Sequence, residues 1–99
     1  MKQHAIEISS EFFTDRRLAT ELTIPQRLFY IGLWSLTEGD GELEDDPQRL
    51  LEAILPFHQE LSPSWAEDTM QLLERLGLLT RDELDGRRFA ILTRREEIR

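Results

Sequence analysis

The chain has 99 residues, with 20 acidic and 12 basic side chains, a net charge of −8 and no cysteine. This length suits one domain with one core, and the lack of cysteine excludes a disulfide framework and a cysteine-based zinc site. No apolar run reaches the length of a membrane span and no signal-peptide core is present, so the sequence predicts a cytoplasmic protein.

The charge is unevenly distributed along the chain. Residues 1–77 carry a net −9 and residues 78–99 carry a net +1. An acidic body repels phosphate backbones at long range, whereas nucleic-acid binders are usually basic. Composition therefore argues against binding to DNA by bulk electrostatic attraction.

The first twenty residues predict a strand and a helix. Residues 3–8 alternate weakly between polar and apolar side chains, which is typical of a short strand. Ser9 or Ser10 is expected to cap a helix from residue 11 to about residue 21. The apolar side chains of this helix are Phe12, Phe13, Leu18 and Leu22.

The stretch from Thr23 to Leu36 predicts the central helix of the domain. Thr23 is a good N-cap, Gln26 completes a capping-box pattern, and Pro25 falls in the first turn, where its missing N–H costs nothing. Apolar residues occur on several sides of the helix, so it must be covered on several sides. Gly32 is unfavourable in a helix interior and predicts the close approach of another backbone.

The same two-residue pattern predicts the start of two further helices. Asp46-Pro47 and Ser62-Pro63 each place a capping residue before a proline at the first helical position. The first of these helices ends before Pro56 and the second ends at Gly77. Between the central helix and Asp46, residues 38–41 predict a turn and residues 42–44 a very short strand with Leu43 facing inward. The expected inward side chains of the last helix are Trp65, Thr69, Leu72, Leu73 and Leu76.

Residues 78–93 predict a β-hairpin. Asp85-Gly86 fits a two-residue type I′ turn, which places Glu83 opposite Arg88, Leu79 opposite Leu92 and Thr80 opposite Ile91. Residues 94–99 form a charged tail that we expect to be frayed.

The predicted order is that of a winged helix-turn-helix, an α+β fold that is mainly helical with a small hairpin. The last helix is then the recognition helix and the hairpin is the wing. We predict one domain over residues 1–99, with its core in residues 9–92 and a charged tail in residues 93–99.

Several motifs resemble a large group of bacteriophage and prophage proteins. They include Glu11-Phe12-Phe13-Thr14-Asp15, Ile31-Gly32-Leu33-Trp34, Leu43-Glu44-Asp45-Asp46-Pro47 and Asp85-Gly86-Arg87-Arg88-Phe89. That group has an N-terminal winged-helix domain and is usually described as replication or replisome-organiser-like. The resemblance covers about residues 9–92 and implies a winged helix of phage origin. Family members often continue into a linker and a second domain, and they more often carry proline directly after the N-cap than at the position of Pro25.

A DNA-binding role predicts contacts from the last helix and the wing, because arginine and glutamine side chains reach phosphates and base edges. The candidate DNA contacts are Gln71, Arg75, Arg81, Arg87 and Arg88. The alternative is that the helix face is merely solvated. The arginines of the wing and the tail would then pair with nearby acids, which are Asp82, Glu83, Asp85, Glu96 and Glu97.

The acidic residues support a second hypothesis, a protein-interaction module on the same scaffold. Such a module would be an oligomerising adaptor, or a phage inhibitor that captures a basic host protein by presenting DNA-like charge. The candidate residues are Glu38, Asp40, Glu42, Glu44, Asp45, Glu67 and Asp68. The bland alternative is a solvated turn.

No pattern in the sequence indicates catalysis or a cofactor. The run 38–46 lacks the spacing of an EF-hand loop, His4 and His58 are far apart, and no nucleophile–base pair or glycine-rich phosphate loop is visible. We expect neither an enzyme nor a metal or cofactor site, and the expected partners are double-stranded DNA or a protein of the replication or transcription machinery.

Overall fold

A computed structural model describes residues 5–37 and 40–98 of the chain. It has the predicted α+β composition, and its order of elements is compatible with a winged helix. The elements are α1 (Glu11–Thr14), α2 (Arg16–Glu21), α3 (Ile24–Leu36), β1 (Glu42–Glu44), α4 (Pro47–Ile54), α5 (Pro63–Arg75), β2 (Leu79–Leu84) and β3 (Arg87–Leu92).

The N-terminal region differs from the prediction. The expected helix from residue 11 to about residue 21 is two short helices, because Asp15 has an extended backbone and its side chain accepts a hydrogen bond from Leu18 N–H at 3.0 Å. Phe12 is buried, but Phe13 is 60% exposed and is not a core residue. The predicted strand 3–8 is absent from residues 5–8 apart from one bridge between Ile8 and Ile98, and residues 3 and 4 lie outside the described residues.

The central position of α3 is confirmed. Thr23 and Gln26 form the predicted capping box. Phe29 meets Trp65 of α5 edge-on with ring centroids 5.5 Å apart, and Tyr30 stacks on Phe12 of α1 at 6.2 Å. Helix α3 therefore packs between α1 and α5 and contacts both.

Gly32 is needed for close packing, but not against a backbone as predicted. A Cβ atom at this position would lie 2.4 Å from Cγ2 of Ile54 and 2.8 Å from its Cγ1. Helix α4 therefore packs the side chain of Ile54 directly against the backbone of α3.

Helices α4 and α5 begin where the sequence predicts. Asp46 and Ser62 cap them through side-chain hydrogen bonds, each followed by proline. At the end of α5, Gly77 has a φ of 76°. The N–H of Leu78 donates to Leu73 O and that of Gly77 to Glu74 O, which is the Schellman pattern.

The inward side of α5 was only partly predicted. Thr69 and Leu73 are fully buried, but so are Ala66 and Met70, which the sequence reading omitted. The other expected inward residues are partly buried at the edge of the core; they are Trp65, Leu72 and Leu76.

The three strands form one antiparallel sheet in the order β1-β3-β2. The hairpin register matches the prediction, with Leu79 opposite Leu92, Thr80 opposite Ile91 and Glu83 opposite Arg88. Asp85 and Gly86 both have positive φ, as a type I′ turn requires. Strand β1 adds to the free edge of β3, and its Leu43 faces inward as predicted.

The C-terminal segment is docked, so the prediction of a frayed tail is wrong for residues 94–98. Ile98 is 1% exposed, and Ser9 N–H donates to Glu97 O at 2.8 Å. The guanidinium of Arg95 contacts the carboxylates of both Asp15 and Glu97. Apolar burial and these ion pairs hold the end of the chain against its beginning.

Candidate interaction surface at the last helix and the hairpin

A buried arginine links the hairpin to α5 and to the start of α4. Arg81 lies on the helix-facing side of β2. Its Nε and Nη2 bind the carboxylate of Asp45 at 2.6 and 3.0 Å, and its Nη1 and Nη2 bind that of Glu67 at 2.6 and 2.9 Å. The side chain of Arg81 is 12% exposed, that of Asp45 1% and that of Glu67 33%. We call these three residues the Arg81 network.

Each carboxylate accepts two parallel N–H donors from the guanidinium, and this bidentate arrangement is the strongest form of an arginine–carboxylate pair. The hydrogen bonds from Arg81 lower the pKa of Glu67 to about 2, and Gln71 and the charge of Arg88 act in the same direction. Hydrogen bonds to Glu67 and Asp45 raise the pKa of Arg81 above its ordinary value. Glu67 and Arg81 are therefore both charged across the physiological pH range, and their hydrogen-bonding groups are largely used within the network.

Two of the predicted DNA contacts border the network. Arg88 Nη2 lies 3.6 Å from Glu67 and 3.8 Å from Asp45, and the Arg88 side chain is 51% exposed. Gln71 Nε2 donates to Glu67 Oε2 at 3.1 Å. Gln71 is therefore engaged within the molecule, whereas Arg88 keeps half of its surface open to a partner.

Arg81 was predicted as a DNA contact, but in the structure its donors bind Asp45 and Glu67. It therefore supports the hairpin from its helix-facing side. The alternative pairing of Arg81 with the nearby hairpin acids is wrong, because its partners come from the loop before α4 and from α5. Of the other pairings expected, the structure shows that of Arg95 with Glu97.

Arg75 and Arg87 are the predicted contacts that remain open. Both are exposed, and neither guanidinium forms an ion pair or hydrogen bond with the described residues. Arg75 lies in the last turn of α5 and Arg87 at the tip of the hairpin. They are separated by the length of a six-residue strand, about 20 Å, so they are placed to meet different groups on a large partner.

The predicted acidic patch is smaller than its sequence suggests. Asp45 is buried and Glu67 is paired with Arg81, so neither is a free surface charge. Glu42 and Glu44 are exposed on β1, and Glu44 Oε1 lies 3.7 Å from Nη1 of the exposed Arg49. Asp40 is exposed with its Oδ1 accepting from Glu42 N–H at 3.0 Å. Asp68 is exposed on α5, and Glu38 lies outside the described residues.

A second group of arginines was missed by the sequence reading. Arg17 Nη2 donates to Leu76 O at 2.8 Å, at the C-terminus of α5, next to Arg75. Thr93 Oγ1 donates to Gly77 O at 2.8 Å and brings Arg94 to the same end of the molecule. The group is Arg17, Arg75 and Arg94. No pattern in the sequence links these positions, because the contacts that bring them together join three distant segments.

Cations at a helix C-terminus also have a structural use, since they complement the negative end of the helix dipole. The hydrogen bond from Arg17 to the last turn of α5 is of this kind. We therefore interpret the contact made by Arg17 as a stabilising cap of α5.

No protein-family model, curated protein or solved structure matches this chain. Within residues 5–37 and 40–98, no helix combines the length and apolar character needed to cross a membrane. The same part of the chain holds no group of three or more side chains able to ligate a metal ion.

Proposed function

We propose that this chain is a non-enzymatic winged helix-turn-helix protein of phage or prophage origin that associates with duplex DNA in the cytoplasm, in the control of replication or transcription. One observation carries the proposal. Arg75 and Arg87 are exposed and make no ion pair with the described residues, whereas the charges of Asp45 and Glu67 are met by Arg81. The internal pairing reduces the repulsion that these two acids would exert on phosphate.

The proposed contact is weak and independent of base sequence. Arg75, Arg87 and the half-exposed Arg88 offer two or three phosphate contacts, and each released counterion contributes about −0.9 to the slope of log K against log salt. We therefore expect a slope of about −2 to −3. Base reading is not expected, because Gln71 is engaged by Glu67 and Asp68 and Glu74 on the same helix repel phosphate.

The test is fluorescence anisotropy of a labelled random duplex at low and then rising salt, with two matched double variants. Arg75→Gln/Arg87→Gln removes two open charges at the proposed contact. Arg16→Gln/Arg49→Gln removes the same charge from exposed arginines on α2 and α4, outside the proposed contact. The first variant should lose most of the affinity and the second should lose little. Equal losses of DNA affinity in the two variants would show that binding responds to net charge alone. A loss of affinity only in the control variant would place the DNA elsewhere on the protein. Either result contradicts the proposed contact.

The acidic protein-interaction module is the second candidate. Its supporting observation is that Glu42 and Glu44 are exposed side by side on β1, although Asp45 and Glu67 are not available. As an oligomerising adaptor or an inhibitor of a basic host protein, the chain would use this acidic strand. A lack of DNA binding by the wild-type protein at low salt would favour this candidate over the first.

A further inference from the structure

The solvent-facing side of the sheet carries three apolar side chains at neighbouring positions, and that of Phe89 is partly buried. Side chains alternate along each strand, and the register places Ile91 and Phe89 of β3 on this side together with Leu84 of β2. Leu84 is 67% exposed and Ile91 is 40% exposed. Single exposed apolar residues are common on protein surfaces, but contiguous ones mark interaction sites. We call these three residues the sheet ridge.

Carboxylates border the ridge on both sides. The register aligns Glu44, Phe89 and Asp82 in one row across the three strands, and Glu42, Ile91 and Thr80 in the next. Phe89 therefore lies between two acids. A groove of about 410 Å³ lies at the tip end of this face, and it is lined by Glu42, Glu44, Leu84 and Phe89 together with Arg87 and Arg88.

From this pattern we infer that the outer face of the sheet binds an amphipathic basic helix of a partner protein. The apolar side of such a helix covers the sheet ridge, and its Lys or Arg side chains meet Glu42, Glu44 and Asp82. Positions 87–91 of β3 span about 14 Å, which corresponds to about ten helical residues. Opposite charges around an apolar centre set both the orientation and the class of partner.

This inference does not depend on DNA binding, and it gives the acidic interaction module a definite surface. A variant of Arg87 distinguishes the DNA-binding proposal from the helix-binding proposal. Arg87 lies on the outer face of the sheet, opposite Leu84, at the tip end of the sheet ridge. A basic helix is repelled by Arg87 whereas phosphate is attracted. Arg87→Gln should therefore weaken DNA binding and leave helix binding equal or tighter.

The probe is a synthetic, end-capped peptide of about twelve residues, made of Leu and Lys with its leucines on one helical face. Its control is a scrambled peptide of identical composition. Titration into ¹⁵N-labelled protein locates the contact by chemical shift changes, and anisotropy of the labelled peptide gives the affinity. We expect shift changes concentrated on β1, β2 and β3 and binding that weakens with salt, with the scrambled peptide binding clearly less well.

Variants test the ridge and its acids separately. Leu84→Thr/Ile91→Thr keeps strand-compatible side chains and should weaken binding about tenfold or more, the loss expected for two exposed apolar contacts. Its control is Ile24→Thr/Phe57→Thr, which removes exposed apolar side chains elsewhere. Glu44→Gln/Asp82→Asn should weaken binding and flatten its salt dependence. Its control, Glu21→Gln/Glu74→Gln, should do neither.

Four results would overturn the inference. They are unchanged binding by the ridge variant, equal binding of the scrambled peptide, shift changes outside the sheet, and self-association that the ridge variant abolishes. The last result, measured by sedimentation, would assign the ridge to a second copy of this chain. None of these outcomes bears on the DNA titration, so the two proposals fail independently.

Discussion

Replacement of Arg81 by methionine tests the importance of the Arg81 network. Methionine keeps the length and the apolar stem of the side chain but removes the five donors of the guanidinium. The change leaves the carboxylate of Asp45, whose side chain is 1% exposed, without its bidentate partner. Because the pair is almost completely desolvated, the cost is that of an unpaired buried charge and not that of a surface salt bridge.

The expected loss of unfolding free energy depends on how deeply each partner of Arg81 is buried. Breaking a buried pair by removing one member costs about 3–5 kcal/mol. We expect the lower end, about 3 kcal/mol, for two reasons. The side chain of Glu67 is 33% exposed and regains water, and Arg88 Nη2 is already 3.8 Å from Asp45 and can move closer. In a domain of this size such a loss lowers Tm by about 15 °C.

Urea unfolding followed by circular dichroism measures this loss, with thermal melting as a second probe. Arg87→Met is the matched control, because Arg87 is exposed and unpaired, and it should change stability by less than about 0.5 kcal/mol. In Asp45→Leu/Arg81→Met both charges are gone, so this double variant should be more stable than Arg81→Met alone. An Arg81→Met protein as stable as the wild type would refute the reasoning, since it would mean that the Asp45 carboxylate does not need Arg81 as a partner.

Three further predictions concern packing, the docked C-terminus and acid stability. Gly32→Ala should destabilise the fold by about 1 kcal/mol, because overpacking exceeds the gain in helix propensity; urea unfolding should show a smaller loss for Gly32→Ala in an Ile54→Ala background. Ile98→Ala should cost about 2–3 kcal/mol, and a melting curve like that of the wild type would mean that the segment frays after all. The third prediction follows from the folded-state pKa of Glu67, about 2 against an ordinary 4.5. Its stabilising contribution is complete above about pH 4.5 and is lost as pH falls towards 2, so thermal melts near pH 6 and pH 3 should show a smaller drop for Glu67→Gln than for the wild type.

The features predicted correctly are those that neighbouring residues decide. Thr23 with Gln26, Asp46-Pro47 and Ser62-Pro63 each specify a helix start within four residues, and Asp85-Gly86 specifies the turn that sets the hairpin register. Each signal is a local hydrogen bond or a backbone preference, so it can be read without knowledge of the rest of the chain.

The errors arose where distant segments decide the outcome. Asp45 and Arg81 are 36 positions apart, and Glu67 and Arg81 are 14 apart. A single sequence does not indicate which of many acids an arginine will meet. The internal pairing of Arg81 with Asp45 and Glu67 was therefore not predicted, and two members of the proposed acidic patch are engaged within the molecule. The tail was misjudged for the same reason, because the burial of Ile98 depends on contacts with the opposite end of the chain.

The strand order has a consequence for synthesis on the ribosome. Among the described strands, β1 pairs with β3 alone, which is synthesised after β2, and Ile8 pairs with Ile98. At translation speeds of about 5–20 residues per second, β1 waits several seconds for its partner. During that interval Leu43 and the strand edge are open, and the acidic side chains of Glu42 and Glu44 discourage pairing with other nascent chains. Glu42 and Glu44, which we propose to meet a basic partner in the folded protein, thus also disfavour aggregation during synthesis.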